Sequence, residues 1–342
     1  MTKPTTDRTE AGRTRSRRDA LKIGGAAAAA SFYPFHIAKA QSTTLRFAHS
    51  APEAHGWHIW AVAFKEAMES ATEGEVAVRI FPNAQMGAER DSAQAVRIGS
   101  VDMAAIGVAL MNWVPEMSIT DAPFLWQSRQ QAYNAIAGEF GDRLRGLSSD
   151  KGFRLAGWTD LGFRCMTNNK HPISSVADMA DLKMRVPNSK AYIGMMQALG
   201  STTVAVTLSE LYLALSQGVA DGQDTPPSVV KSNKFYEVQK FVSPTNHILT
   251  TAYVVANPDS YEKLGADQKA AFDAASAAAD EHLRAHTRAD EASAYDFLAG
   301  EGMEVNTEVD ISSFREACAS VLTDYPDLFQ PELVELARNT PV

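Results

Sequence analysis

An arginine inside an apolar run is the residue best placed to do chemistry in this sequence. It is Arg185 in Lys183-Met184-Arg185-Val186-Pro187, a pattern that predicts a buried strand ending at the proline. A guanidinium at the end of a buried strand is costly unless an anion pairs with it. The pattern therefore indicates a site for a small acidic ligand and not a reaction; a surface arginine on an edge strand is the alternative.

A second arginine, Arg164, lies in another strand pattern. In that strand Phe163 and Cys165 face one side, and Arg164 and Met166 face the other. Two guanidinium forks can clamp one carboxylate together or one carboxylate each. On its own residues the strand leaves two roles open for Arg164, a ligand contact or a structural salt bridge.

Three histidines with Glu53 look like a metal cluster at first. The spacing of His49, His55 and His58 matches no metal-binding signature, so we predict no metal here. We expect His49 or Glu53 to face a ligand cleft and His55 to start the following helix. Among the aromatic residues, Trp158 has the best position for a cleft wall, six residues before Arg164, with a place in the core as the alternative.

Two successive segments share one order of elements, strand–helix–strand–helix–strand. The predicted elements are Leu45–Ala48, His55–Ala71, Val76–Phe81, Glu89–Ile98 and Val101–Ile106, then Leu182–Val186, Ser189–Leu199, Thr202–Val206, Ser209–Ser216 and Val219–Gln223. In each segment the second helix ends in a glycine, Gly99 or Gly218, which supplies a left-handed turn. The alternation predicts two α/β halves, each with a mostly parallel sheet whose strand ends form a ligand edge.

A third landmark is a long helical stretch, Ala266–Ala299, without glycine or proline. Gly265 and Gly300 flank it as terminators. Unbroken, it would be about 50 Å long. A helix of that length must cross both halves; a break near residues 282–287 is the alternative.

The stretch Lys183–Pro226 closely resembles the ligand-binding core of the periplasmic solute-binding subunit of tripartite ATP-independent (TRAP) transporters, the DctP type. The resemblance extends from Leu45 to about Phe329. It implies that Arg185, in the K-x-R-V-P strand, holds the carboxylate of the cargo and that Arg164, in G-x-R-x-x-T, gives a second contact. It also implies a two-lobed binding protein, type II-like, with a long helix spanning both lobes and permease membrane subunits as partners.

Two further positions follow from the same resemblance. Asn83–Arg90 resembles the family loop P-N-x-Q-L-G-x-E-R, so Glu89 either receives a hydroxyl or amine of the ligand or favours the helix N-terminus. Asp221–Pro226 resembles D-G-x-E-N-P, with Thr225 at the asparagine that contacts the ligand. Threonine lacks the paired donor and acceptor of an amide. This departure favours a hydroxylated or sugar-derived monocarboxylate over plain succinate or malate.

The first forty residues read as an export signal. Ser16–Lys22 resembles the twin-arginine motif S-R-R-x-F-L-K, with Ala20 in place of phenylalanine. A short apolar segment, Ile23–Ala30, follows, and Ala38-Lys39-Ala40 offers the small-x-small pattern of a cleavage site. We therefore expect a periplasmic protein cleaved near Ala40, with a disordered basic arm as the alternative.

The charge and length of the mature chain limit its possible partners and its number of lobes. The first 40 residues carry eight Lys/Arg and three Asp/Glu, so their removal takes the formal net charge from −9 to −14. Such an acidic chain argues against nucleic acid and anionic membranes as partners. We expect a monomer with two lobes, residues 41–161 plus about 250–290 and residues 162–249 plus about 291–342.

Two cysteines, Cys165 and Cys318, could form a disulfide in an oxidising periplasm, but we favour two buried free thiols. The sequence has no G-x-G-x-x-G after a strand, no P-loop, no C-x-x-C and no G-x-S-x-G, so we predict no cofactor and no catalysis. The predicted function is capture of a small organic acid for a TRAP-type permease. The alternatives are a Tat-exported oxidoreductase of α/β fold and a ligand-sensing partner protein without a transport role.

Overall fold

The computed structural model describes residues 43–342; the predicted export signal and its cleavage position near Ala40 lie outside them. Within this range the strands are β1 Thr43–Ala48, β2 Val76–Phe81, β3 Met103–Ile106, β4 Arg154–Phe163, β5 Cys165–Asn168, β6 Lys183–Val186, β7 Thr202–Ala205, β8 Gly222–Thr225, β9 Phe241–Ser243, β10 Leu249–Ala256 and β11 Glu304–Val305. The helices are α1 Gly56–Ala71, α2 Glu89–Arg97, α3 Arg129–Ala137, α4 Glu139–Asp150, α5 Lys190–Ala198, α6 Leu208–Ser216, α7 Pro227–Ser232, α8 Pro258–Glu262, α9 Ala266–Gly300, α10 Ile311–Ala317, α11 Val321–Asp324 and α12 Pro331–Asn339.

Within residues 43–342 the strands form two mixed sheets, in the orders β2-β1-β3-β10-β4 and β11-β9-β5-β8-β6-β7. β1 pairs in parallel with β2 and β3, and β6 pairs in parallel with β7 and β8. β10 and β5 run antiparallel to their neighbours. The prediction of two α/β halves is confirmed. The sheets are less parallel than expected, since two of the four strand pairs in the first sheet and two of the five in the second are antiparallel in residues 43–342.

The glycines that end α2 and α6 have the predicted left-handed backbone. Gly99 has φ of 72° and Gly218 has φ of 69°. In each half this turn directs the chain from the second helix into the third parallel strand, β3 or β8. The repeated turn gives both sheets the same order of crossovers, so the carboxyl ends of their strands form comparable edges.

The chain passes between the sheets three times, once along α9 between β10 and β11 and twice through short segments that are hydrogen-bonded to each other. One is the single residue Arg164 between β4 and β5, and the other is the segment 244–248 between β9 and β10. The N–H of Arg164 donates to the Ile248 carbonyl at 2.9 Å, and the N–H of Asn246 donates to the Arg164 carbonyl at 3.0 Å. A two-stranded connection therefore joins the halves at Arg164.

The apolar core lies in two clusters, and each cluster draws on both sheets. One contains Ile106 of the first sheet and Met184 of the second; the other contains Phe47 and Val242. On α1 the buried positions follow helical spacing: Trp57, Trp60, Ala61, Phe64 and Met68. Cys165 and Cys318 are both buried and free, as predicted.

Helix α9 runs without a break from Ala266 to Gly300, so the predicted long helix is confirmed and the break near residues 282–287 is not observed. At 1.5 Å per residue it is about 50 Å long. It packs against α1 and β4 on the side of the first sheet and against α7 and β11 on the side of the second. None of the helices in residues 43–342 combines the length and the apolar character needed to cross a membrane.

A carboxylate cluster holds the backbone where β4 leaves the first sheet. Asp160 Oδ1 accepts from the Gly162 N–H at 2.8 Å, and Glu291 Oε1 of α9 accepts from the Phe163 N–H at 3.1 Å. Arg129 pairs with both carboxylates, with nitrogen–oxygen distances of 2.8 Å to Asp160 and 2.7 Å to Glu291. The turn before the passage at Arg164 is therefore fixed from both sides.

Gly162 itself should tolerate no side chain. Its φ is 102°, and a Cβ there would lie 3.1 Å from Glu291 Oε1. We expect Gly162→Ala to lower the free energy of unfolding by at least about 2 kcal/mol. Two costs add up, because the alanine backbone is strained at this φ and its Cβ displaces the Glu291 carboxylate. The matched control is Gly152→Ala, at φ of 83° with nothing within 4 Å of the added Cβ. It should cost about 1 kcal/mol from the backbone alone. Equal losses in urea denaturation would contradict this account of the turn.

Candidate functional site

A cavity of about 60 Å³ lies where the two halves meet, next to the passage at Arg164. One water needs ~10–15 Å³ on this scale, so the space suits a small molecule. Its lining from the first half, including β10, is His55, Trp57, Glu89, Gly107, Val108, Leu161, Thr250, Thr251 and Ala252. Its lining from the other side is Arg164, Arg185, Pro187, Leu208, Thr225, Pro226 and Val229.

Arg185 on β6 offers the cavity a guanidinium with free donors. Its side chain is buried, and its Nε donates to the Val206 carbonyl at 2.8 Å. Neither Nη atom has a hydrogen-bond partner within residues 43–342. Burial lowers the pKa of Arg185 to about 10, although the charges of Asp224 and Glu89 act in the opposite direction. An anion in the cavity would compensate this desolvated charge.

Arg164 lines the same cavity but is already paired. Its Nε donates to Asp224 Oδ2 at 2.7 Å, Nη1 donates to Thr250 Oγ1 at 3.2 Å, and Nη2 donates to the Asp224 carbonyl. The guanidinium also lies over the Tyr192 ring, 4.8 Å from its centroid. Burial lowers the pKa of Arg164, but the charge of Asp224 outweighs it and the pKa is raised overall. The two predicted arginines therefore line one cavity, Arg164 with a protein carboxylate as its partner and Arg185 without one.

Asp224 is the buried counter-charge of Arg164. Burial raises the pKa of its carboxyl, yet Arg164 and His247 hold that pKa below the ordinary value. Its Oδ2 lies 3.1 Å from His247 Nε2, and His247 Nδ1 lies 2.8 Å from Thr245 Oγ1. Burial lowers the pKa of His247, so this imidazole favours the neutral form.

Glu89, the first residue of α2, faces the cavity from the first half. Its Oε2 accepts from the Gly107 N–H at 2.8 Å. Removal from water raises the pKa of Glu89, against the opposing effects of the Gly107 N–H and the charge of Arg185. The N-terminal backbone of α2 is served by a different carboxylate, since Asp91 Oδ2 accepts from the Ala88 N–H at 3.0 Å.

Thr225, at the end of β8, also lines the cavity. Its hydroxyl is buried and has no hydrogen-bond partner within residues 43–342. Because a buried hydroxyl without a partner costs free energy, this oxygen is available to a ligand.

Two residues of the α1 N-terminus line the cavity although sequence reasoning did not assign them there. His55 caps the helix, with its Nδ1 accepting from the Trp57 N–H at 3.1 Å, and burial lowers its pKa to about 3. The indole Nε1 of Trp57 is buried and has no hydrogen-bond partner within residues 43–342. The position of both residues at the carboxyl edge of β1, where α/β sheets bind ligands, is the signal that could have identified them.

Two predicted site residues do not line this cavity. His49 is buried, with its Nε2 3.1 Å from His58 Nδ1, because the turn after β1 directs its ring towards α1. Trp158 packs in the core edge-to-face on Tyr253, with ring centroids 5.1 Å apart. Glu53, the alternative to His49 in the sequence analysis, is also absent from the lining. His55 lines the cavity instead. Within residues 43–342 no group of three His, Cys, Asp or Glu side chains is placed to hold a metal ion.

Comparisons with known proteins agree on one family. The family model "Bacterial extracellular solute-binding protein, family 7" (DctP) matches residues 47–327. A TRAP periplasmic solute-binding protein from Polaromonas, solved bound to D-erythronate, has 31% identity and a TM-score of 0.85 over 88% of this chain and 100% of that one.

Two other solved TRAP periplasmic solute-binding proteins hold different acids. The one from Roseobacter denitrificans, with bound L-galactonate, has 32% identity and a TM-score of 0.82 over 86% of this chain and 99% of that one. The one from Sulfurospirillum deleyianum, with bound succinate, has 25% identity and a TM-score of 0.83 over 88% of this chain and 99% of that one.

The buried pair of Arg164 and Asp224 should matter far more for stability than a surface pair. We expect Asp224→Ala to lower the free energy of unfolding by about 3–5 kcal/mol, because it leaves the Arg164 guanidinium buried without its counter-charge. The control is Asp142→Ala, which breaks an exposed pair with Arg145 of the same 2.7 Å length. That change should cost no more than about 1 kcal/mol. Similar losses for both variants in chemical denaturation would show that the buried pair is not a structural anchor.

Proposed function

Because this chain belongs to the DctP family of bacterial extracellular solute-binding proteins, we propose that it captures a small organic acid in the cavity between its two sheets and delivers it to the membrane subunits of a TRAP-type permease. The observation that carries the proposal is Arg185, a buried guanidinium that lines a small cavity and whose two Nη atoms have no hydrogen-bond partner within residues 43–342. A carboxylate accepts two parallel hydrogen bonds from such a fork.

In this proposal Arg185 binds the carboxylate, and Arg164 borders it as a fixed positive charge. Thr225 and Glu89 offer the rest of the ligand a hydroxyl and a carboxylate. His49 and Trp158 act only through the residues that they support, since neither lines the cavity. The twin-arginine signal in residues 1–40 supports export to the periplasm, where members of the family work.

Arg185→Ala should weaken binding of the cognate acid by roughly 2–5 kcal/mol, because the carboxylate loses its charged partner. Arg185→Lys should also bind poorly, since an ammonium does not replace a planar fork. The matched control is Lys183→Ala, which removes an exposed cation from the same strand. Calorimetry would measure all three affinities, and an Arg185→Ala affinity equal to that of the Lys183→Ala variant would remove the basis of the proposal.

We further propose that residues 41–161 with about 250–290 form one lobe, that residues 162–249 with about 291–342 form the other, and that ligand draws them together. The cavity wall takes residues from both lobes, so a bound acid contacts both at once. A ligand that binds the closed arrangement better than the open one shifts the population towards it.

Small-angle scattering of the mature protein should therefore show a smaller radius of gyration when its acid is added. The passages at Arg164 and at residues 244–248 are the places where the chain can bend between lobes. Arg185→Ala at the same ligand concentration is the control and should keep the radius of the ligand-free protein. An unchanged wild-type radius at saturating ligand would indicate a rigid receptor.

A further inference from the structure

We infer that the acid bound here carries a single carboxylate and a hydroxyl group, and that the indole N–H of Trp57 and the carboxylate of Glu89 read that hydroxyl together. The inference rests on the proposed function and adds the class of ligand and a specificity-determining residue, Trp57. It follows from the balance of charge around the cavity and from two polar side chains, Trp57 and Glu89, that border the same part of its wall at Gly107.

The charges around the cavity leave room for one carboxylate. The charged side chains on its wall are Arg164, Arg185 and Glu89. Arg164 is paired with Asp224 at 2.7 Å, whereas Arg185 has no ion pair within residues 43–342. A second carboxylate of a short diacid would be buried beside Glu89 with no free cation, which is strongly unfavourable. Arg90 is exposed and belongs to an adjoining chamber of about 240 Å³, not to this wall.

Trp57 and Glu89 approach the same point from two sides. A Cβ built on Gly107 would lie 3.3 Å from Glu89 Oε2 and 3.3 Å from Trp57 Cζ2. The absence of a side chain at Gly107 therefore keeps this part of the wall open. Trp57 Nε1 is a buried donor with no partner within residues 43–342, while Glu89 is an acceptor. A donor and an acceptor thus border one small space.

A hydroxyl is the group that satisfies both. It accepts from the Trp57 N–H through its lone pairs and donates its own proton to Glu89. A carboxylate could accept from Trp57 but would be repelled by Glu89, and an ammonium could donate to Glu89 but could not accept from Trp57. A methylene would leave the Trp57 N–H without a partner, and sites built for a hydroxyl reject such analogues.

The adjoining chamber has room for further hydroxyls. It shares Glu89, Arg185, Pro187 and Leu208 with the cavity. The rest of its lining is mostly polar and includes Ser50 and Asn112, together with Ala88 and Ala109. The hydroxyl of Ser50 is buried and has no partner within residues 43–342. A hydroxylated carbon chain can therefore extend from the cavity into this chamber.

Three four-carbon acids separate the two parts of the inference. D-erythronate has one carboxylate and several hydroxyls, butyrate has one carboxylate and no hydroxyl, and succinate has two carboxylates. L-galactonate serves as a longer hydroxylated acid. Calorimetry on the mature protein should rank D-erythronate or L-galactonate at least tenfold tighter than butyrate, with succinate no tighter than butyrate.

Trp57→Phe tests the proposed contact between the indole N–H and the ligand hydroxyl directly, because it keeps an aromatic ring and removes the N–H. We expect it to weaken binding of the hydroxylated acid roughly five- to tenfold, as for one lost hydrogen bond, and to leave the affinity for butyrate unchanged. The matched control is Trp113→Phe, at a half-buried tryptophan that packs on Phe153 outside the cavity. Glu89→Gln provides a second test and should narrow the difference between D-erythronate and succinate, because it removes the repelling charge.

The outcomes distinguish this inference from the function on which it rests. Succinate or butyrate binding as tightly as the hydroxylated acids, with Arg185→Ala abolishing it, would overturn the inference and keep the proposed function. If neither Trp57→Phe nor Glu89→Gln changes the affinity for the hydroxylated acids, the inference is likewise overturned and the proposed function stands. Failure of all four acids to bind the folded wild-type protein would overturn both.

Discussion

The ion pair between Arg164 and Asp224 is the interaction on which the rest of this structure depends. Arg164 is the single residue between β4 and β5, and its backbone is hydrogen-bonded to the other passage at Asn246 and Ile248. Its side chain reaches Asp224 in the second sheet and Thr250 in the first. A desolvated pair is favourable only when its remaining donors and acceptors are satisfied. Here Thr250, the Asp224 carbonyl and His247 satisfy several of them, while Asp224 Oδ1 has no hydrogen-bond partner within residues 43–342. The Arg164 guanidinium is therefore a buried link between the two sheets and not a surface charge.

The regions around this pair restrict where the two halves can move. Arg129, Asp160 and Glu291 hold the turn at Gly162 from two directions, and Glu291 belongs to the long helix α9. Because α9 packs on elements of both halves, any change in their relative position must be absorbed in the short passages beside Arg164 and along this helix. A stiff connection of few residues suits a hinge, since it permits bending without letting the sheets separate.

The sequence predicted the framework better than the details of the cavity. Hydrophobic periodicity and the glycines at 99 and 218 predicted the two α/β halves, and helix propensity predicted α9, because these signals are local. Arg164, Arg185, Glu89 and Thr225 were predicted at the cavity and line it. Trp57 was missed because helical spacing identifies its buried face but not whether core or cavity adjoins that face. His49 and Trp158 were expected at the cavity, but a ring can turn either way after a strand, and only tertiary packing decides which.

The two arginines differ in how the protein compensates their charge. Arg164 has its counter-charge within the protein, so its charge is compensated whether or not the cavity is filled. Arg185 has Nη atoms without a partner within residues 43–342 and a pKa lowered to about 10 by burial, so the charges of Asp224 and Glu89 compensate it only in part. The groups opposite Arg185, Glu89 and Trp57, belong to the other half of the protein. An acid that pairs with Arg185 and reaches those groups gains its full set of contacts only when the halves are together. Under the proposed function, closure depends on the ligand because Arg185 lacks an ion pair, while the pair of Arg164 and Asp224 is present with or without it.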